Sequence, residues 1–249
     1  MTRAEEAIIP VTLAAAGVLA AAYVWVQRQT AVERWLGHRW LSAASGVSAA
    51  YVFMDILPEL EVRRLQFLQI VGHDALFVEQ IIYLAALFGF VVFYGLNHLV
   101  LPSASGADTP ARRDRADAAF WVRVGGYGVY SWVIGYIVIE RAELGTHVLA
   151  LYVVAIALHV TVVGSALARR HGCAYARVGA RVLAACVLAG WLTGVTATVP
   201  DVAFPWVFAF VAGAIIMTSV SEELPGKQGS FRWLLGGATV YALILLVAR

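Results

Sequence analysis

The sequence predicts an all-α integral membrane protein of eight transmembrane helices with both termini outside. Three observations predict it. The 249 residues are 61% hydrophobic and only 14% charged, with a mean hydropathy of +0.78. Apolar runs, each on the order of 20 residues and so of bilayer-spanning length, recur at 7–27, 40–58, 76–101, 119–140, 146–168, 178–199, 204–222 and 231–248. Lysine and arginine divide unevenly between alternate connections. Only helices or closed barrels satisfy their backbone hydrogen bonds in lipid, and these runs are too long and too continuously apolar for barrel strands. Little remains outside them, so residues 1–249 read as a single membrane domain.

The first run is led by Glu5 and Glu6 and followed by Arg28 and Arg34, the reverse of the charge order of a cleaved signal peptide. Helices one to three fill about 7–101. The longest connection, 102–117, is rich in Ser, Gly, Ala, Arg and Asp and reads as a flexible cytoplasmic loop. Helices four to eight fill about 119–248. The odd-numbered loops hold thirteen of the eighteen Lys and Arg residues, among them Arg39, Arg112, Arg169, Arg181 and Lys227. The other side holds five: Arg3, Arg63, Arg64, Arg141 and Arg249. The positive-inside rule therefore places the odd loops in the cytoplasm and locates the chain as a multi-pass protein of the cell membrane, with the lipid bilayer as its first partner. Cys173 and Cys186 have no spacing that implies a disulfide framework or a zinc site. Glycines such as Gly125, Gly126 and Gly128 lie inside lipid-length helices with no strand before them. They serve helix packing rather than a nucleotide loop, and nothing points to nucleic acid.

Helices two and seven repeat one pattern. Gly46 is followed nine positions later by Asp55 and then by Leu57-Pro58; Gly213 is followed nine positions later by Glu222 and then by Leu224-Pro225. In the expected topology the first runs outward and the second inward. A carboxylate within an apolar helix costs about 2.5 kcal/mol or more unless it faces water or a partner. Two at matched positions of inverted segments are the sequence signature of a transporter with internal two-fold symmetry. Pro58 and Pro225 each remove a backbone donor and loosen the helix there. The competing reading is that Leu-Pro simply ends each helix, with Glu59 and Glu223 in headgroup water. Outward-side residues such as Glu61, Glu79, Glu140, Glu143 and Asp201 are the ordinary complement of a positive-inside bias, or a funnel that concentrates cations.

This arrangement resembles the ZIP family of divalent metal transporters. The resemblance in plan covers nearly the whole chain, while the motifs that carry it lie in helices two and seven: Asp55-Ile-Leu-Pro58-Glu59, and Ala212-Gly213 through Glu222-Glu223-Leu224-Pro225. It implies eight helices, a cytoplasmic loop after helix three, inverted repeats of helices one to three and six to eight, and a homodimer. It also implies transport of zinc or a similar divalent ion as substrate, with no prosthetic group and no enzymatic activity. The family's helix-four motif, His-Asn-x-x-Asp-Gly, falls on Tyr130-Ser131-Trp132-Val133-Ile134-Gly135, where Ile134 replaces the aspartate. Helix five has His159 and no carboxylate in place of His-Glu-x-x-His-Glu. What the resemblance leaves is a reduced path. His159, Asp55 and Glu222 are its candidate metal ligands, and Ser131, Tyr130, Thr161 and Ser221 line it, with hydroxyl oxygens as weak ligands. The alternative for His159 is a core histidine hydrogen-bonded across helices.

Two other functional classes compete. A non-transporting relative would keep the fold as a scaffold and lose the metal centre. An intramembrane zinc hydrolase would need three ligands at one depth. His147 and His159 lie twelve residues apart, about 18 Å along one helix, which argues against it.

Overall fold

The structure, a computed structural model, describes residues 3–26, 38–72, 77–98, 110–197, 199–223 and 230–248. The described chain is helical with no strand. We label its helices α1 (Arg3–Trp25); α2 (38–71, built from His38–Tyr51, a π-helical segment Val52–Ile56, and Leu57–Val71); α3 (Ile81–His98); α4 (Pro110–Glu143); and α5 (Thr146–His171). They are followed by α6 (a π-helical segment Tyr175–Gly179, then Ala180–Thr196), α7 (Phe204–Thr218, then a π-helical segment Ser219–Glu223) and α8 (Phe231–Ala248).

Six of these are long and apolar enough to cross a membrane: Ile8–Trp25, Arg39–Val71, Phe120–Glu143, Thr146–Arg169, Tyr175–Thr196 and Phe204–Ser221. Shorter apolar helices occupy Ile81–Leu96 and Phe231–Val247. Large apolar side chains face outward along them, including Leu87 and Phe88 on α3 and Leu243 and Leu246 on α8. In water such a surface would be an aggregation patch; in lipid it is the solvent-facing side.

Two expected boundaries are corrected. The second apolar run does not stop at Pro58. The helix continues to Val71, because Pro58 sits at the start of Leu57–Val71, where a missing N–H costs least, and the π-helical turn before it takes up the disturbance. The segment 102–117 is not all loop: α4 begins at Pro110, a residue whose fixed φ suits a first helical position.

The packing has one repeated device. Three helix pairs, α2 with α8, α3 with α7 and α4 with α6, each cross at a glycine from both partners. Gly46 lies against the carbonyl of Leu234 while Gly237 lies against that of Ala43. Gly213 lies against Ala86 while Gly89 lies against Phe210. Gly135 lies against Val187 while Gly190 lies against Trp132. In every case the carbonyl belongs to the residue three before the partner's glycine. With no side chain between them, backbones approach closely enough for dispersion and weak Cα–H···O contacts to hold the pair, the principal source of helix association where lipid removes the hydrophobic drive.

All three crossings share one register: Gly46 meets Leu234 O and Ala238 N, Gly213 meets Ala86 O and Phe90 N, and Gly135 meets Val187 O and Trp191 N. What sets the first two apart is that Gly46 and Gly213 are each followed six residues later by the start of a π-helical segment, at Val52 and at Ser219. The helices bearing them run antiparallel, since Ser48 contacts Ser219 while Phe67 further along α2 contacts Trp206 nearer the start of α7. Helices α1, α4, α5 and α6 pack largely among themselves, beside the α2–α8 and α3–α7 pairs.

Polar ties hold the remainder. Buried Arg123 donates through Nε to the carbonyl of Leu96 at 2.8 Å, satisfying the last turn of α3 and placing a positive charge at its C-terminal dipole. The Tyr152 hydroxyl donates to Ile134 O at 2.8 Å, and the Trp191 indole donates to Thr12 Oγ1 at 3.1 Å.

Candidate functional site

Four helices bring polar groups together in the buried centre. His159 of α5 is almost wholly enclosed, and its Nδ1 lies 2.9 Å from Ser48 Oγ on α2. Ser48 Oγ lies 3.4 Å from Ser219 Oγ at the start of the α7 π-helical segment. The ring of Tyr130 on α4 meets the imidazole edge-on, with centroids 5.9 Å apart. A hydroxyl can donate or accept, so Ser48 suits either tautomer of the imidazole.

Two cavities lie along α2, one before and one after the node, and none of His159, Ser48, Ser219 and Tyr130 lines either. One, of roughly 560 Å³, is lined by Arg39, Trp40, Val47, Leu158 and Trp233, and reaches the residues just before Ser48 and His159. The other, of roughly 290 Å³, is lined by Tyr51, Asp55, Arg141, His147 and Tyr152, beginning three residues past Ser48. Asp55 lies within the π-helical segment Val52–Ile56, half-buried. Such segments recur at functional sites because they break the regular hydrogen-bond ladder and re-aim side chains.

Beside Asp55 lies an ion-pair cluster joining α2 to α4. Arg63 Nη2 binds Glu59 Oε1 at 2.7 Å and also Glu140, while Arg141 Nη2 lies 3.3 Å from Glu59 Oε2. Both arginines are buried. The Arg63 guanidinium also stacks over Phe204, 4.8 Å from its ring centre, and reaches Phe208 at 5.7 Å, so one side chain ties α2 to α4 and α7. Glu59 is thus half of a structural bridge, not a carboxylate in headgroup water. A further polar cavity of roughly 480 Å³, lined by Gln66, Gln69, Glu143 and Asp201 among others, opens on the far side of Arg63 and Glu140.

The structure brings some of the sequence-derived path residues together and separates others. Tyr130 and His159 meet at the node. Asp55 is seven residues along α2 from Ser48, about 10 Å in helical rise, and faces the His147 cavity rather than His159. Ser131 turns away from the imidazole: its hydroxyl lies 2.8 Å from Tyr23 Oη and donates to Tyr127 O at 2.7 Å. Thr161 is half-buried two positions past His159, about 200° around α5 and so on its opposite side. Ser221 is exposed, and its hydroxyl contacts Met217 Sδ at 3.2 Å. The backbone of Glu222 falls in the π-helical segment Ser219–Glu223, its side chain outside the described residues; Pro225 lies outside them entirely. Pro58 is exposed and leaves the helix unbroken. Among the described residues no three His, Cys, Asp or Glu side chains converge as a metal-binding group. His147 and His159 occupy different places, one in the Asp55 cavity and one in the node.

Sequence reasoning passed over Ser48 and Ser219, and it read Glu59, Arg63 and Arg141 only as outer-side charges, not as one bridge. A signal for the last three was present. Arg63 and Arg141 are cations on the side that is poor in them, and Glu59 precedes Arg63 by four, the spacing of a helical ion pair. Comparison with protein-family models and with curated proteins finds no match to this chain.

Proposed function

We propose that this chain is a ZIP-like inverted-repeat transporter of divalent cations in the cell membrane, with eight spans, both termini outside, and a reduced site in place of a two-metal centre. The observation that carries this reading is the correspondence between α2–α8 and α7–α3. The same glycine-to-carbonyl crossing and the same following π-helical segment occur in two helices that run in opposite directions. Inverted repeats position a site between two units that can tilt against each other. Here the node of His159, Ser48 and Ser219 lies between the α1–α4–α5–α6 group and the α2–α3–α7–α8 group, with one cavity before it and one after it along α2. The moving units in this reading are those two packed groups, not helices one to three against six to eight. Asp55 receives the ion in its cavity, and His159 serves as a single imidazole ligand or proton acceptor at the narrowest point. One imidazole with hydroxyls and water binds a divalent ion weakly, which suits passage better than storage.

The test is flux of zinc, cadmium, manganese and cobalt into proteoliposomes. The expected result is saturable uptake of at least one ion, reduced at least about tenfold by Asp55→Ala and by His159→Ala, the loss that removing one charge-assisted ligand contact of about 1.5 kcal/mol produces. The second reading, a non-transporting scaffold, is favoured by the absence of a converging three-ligand group among the described residues. It prevails if no ion moves and both variants remain folded and behave as the wild type.

A further inference from the structure

We propose that the cavity of roughly 560 Å³ between α2, α5 and α8 binds an anionic phospholipid, with one acyl chain in the cavity and the phosphate at its mouth. The assignment stands apart from the transport reading, because no lining residue belongs to the node or to the Asp55 cavity. Ala43, Ala44 and Val47 of α2, Leu158 of α5 and the Trp233 indole of α8 form the walls, and Arg39 and Trp40 stand at the α2 end. The α2 residues recur at 39–40, 43–44 and 47, one face of the helix, which runs about 12 Å from Arg39 to Val47. Apart from Arg39 and the two indoles every lining side chain is aliphatic, and no carboxylate is among them. A cavity of this kind does not retain water, and left empty its lining forfeits dispersion contacts. Trp233 is exposed at its edge. In the bilayer that the length and composition of these helices call for, the material at hand to fill it is an acyl chain.

The mouth is cationic. Helices α2 and α8 run parallel here: Ser230 N, just before α8, donates to Ser42 Oγ at 3.1 Å, and Gly46 further along α2 lies against Leu234. Both helices therefore begin at the same end, with the positive ends of their dipoles together. Each carries an exposed arginine in its first turn, Arg39 on α2 and Arg232 beside Trp233 on α8. This is the arginine-rich side of the chain, which the positive-inside rule sets against the anionic cytoplasmic leaflet. The Trp40 indole Nε1 is enclosed at the cavity with no acceptor among the described residues, and a phospholipid ester or phosphate oxygen supplies one. A neutral lipid would fill the apolar walls and leave the guanidinium groups and helix ends without an anion. Free phosphate would pair with those groups and leave the walls bare. An anionic phospholipid satisfies both, its phosphate matching the planar donor fork of arginine.

The experiment titrates the full chain in detergent micelles with phosphatidylglycerol carrying brominated acyl chains, which quench tryptophan at contact range, and repeats the titration with brominated phosphatidylcholine. The expected result is a saturable quenching component that the double variant Trp40→Phe/Trp233→Phe lacks. Phosphatidylglycerol binds about tenfold more tightly than phosphatidylcholine, the difference that one charge-assisted phosphate contact makes. Arg39→Gln/Arg232→Gln brings the two lipids to the same affinity. Val47→Phe and Leu158→Phe, which add bulk from opposite walls, each weaken both lipids about tenfold while the far-ultraviolet circular dichroism stays that of the wild type. Quenching that rises without saturation, equal affinity for the two lipids in the wild type, or a preference retained without Arg39 and Arg232 overturns the proposal. So does binding unaltered in both filling variants, or displacement by glycerol phosphate as effective as by the intact lipid. Should one filling variant misfold, the other decides.

Discussion

Gly213→Leu prevents assembly of the helical bundle, and the milder Gly213→Ala lowers its stability by about 3 kcal/mol, the upper end of the usual cost of forcing a methyl group into a filled site. The reason is what the new carbon meets. A Cβ at Gly213 would fall inside the contact radius of the Ala86 carbonyl oxygen and press on the Phe90 amide, and these are backbone atoms of α3 that cannot rotate aside. The helices would have to separate along their whole crossing, undoing the reciprocal seat of Gly89 on Phe210 O. Gly46→Ala should behave the same way against Leu234, since the two sites share a register, and Gly190→Ala should do so against Trp132. Gly17→Ala is the control: nothing lies within 4 Å of its added carbon, and alanine's better helix propensity gives up to about 1 kcal/mol of stabilisation. Denaturant titration in mixed micelles, read by circular dichroism, ranks the four. Equal effects at positions 17 and 213 would remove the glycine crossings as the basis of assembly.

Arg63→Met costs about 3–5 kcal/mol, the range for removing one partner of a buried ion pair. The substitution preserves most of the apolar stem yet leaves Glu59 and Glu140 without their shared cation and takes the guanidinium from the faces of Phe204 and Phe208. Two half-buried carboxylates then face each other across the α2–α4 contact. The double variant Arg63→Met/Glu140→Gln should recover a substantial part of that loss, because Glu140 is then neutral and Glu59 keeps Arg141; the departure from additivity measures the coupling. Arg64→Met, one residue on, is the contrast. Its ion pair with Glu61 at 2.7 Å lies within a single helix with the carboxylate largely exposed, and pairs of that kind contribute about 0–1 kcal/mol. Thermal unfolding followed by tryptophan fluorescence separates the cases. A Phe204→Leu variant apportions the stacking, expected at about 1 kcal/mol where the pair borders a polar cavity.

Much of this architecture was written in the sequence, and the limits have physical causes. Apolar runs announce membrane helices because lipid imposes one length and one composition on them. The repeat was visible through Gly46 and Gly213 because the crossing they serve admits no side chain. Their partners, Gly89 and Gly237, were not distinguishable from glycines in open space such as Gly17 and Gly95, since nothing local records which helix lies opposite. Helix two was drawn too short because a proline after an acidic residue reads as a terminus, whereas a π-helical turn absorbs it within a continuous helix. Ser48 escaped notice for a different reason. A serine in an apolar helix ordinarily bonds to its own backbone four residues back, as Ser45 does to Leu41 O, and only tertiary packing turns Ser48 toward His159 instead. The candidate ligands were chosen by residue type, and type does not say which way a helix is rotated; Ser131 and Thr161 thus lie on the wrong sides of α4 and α5 for His159.

A π-helical turn is what an α-helix becomes when one residue is inserted without disturbing its ends. The turns at Val52–Ile56 and Ser219–Glu223 stand at one distance from their glycines, a correspondence that the third such turn, Tyr175–Gly179, does not share. In the inverted-repeat reading proposed above, one insertion that preceded a duplication would account for the pair. On α2 the turn leads into an arginine-bridged extension beyond Pro58, so that the distortion on this helix is anchored to α4 through Arg63, Glu59 and Glu140.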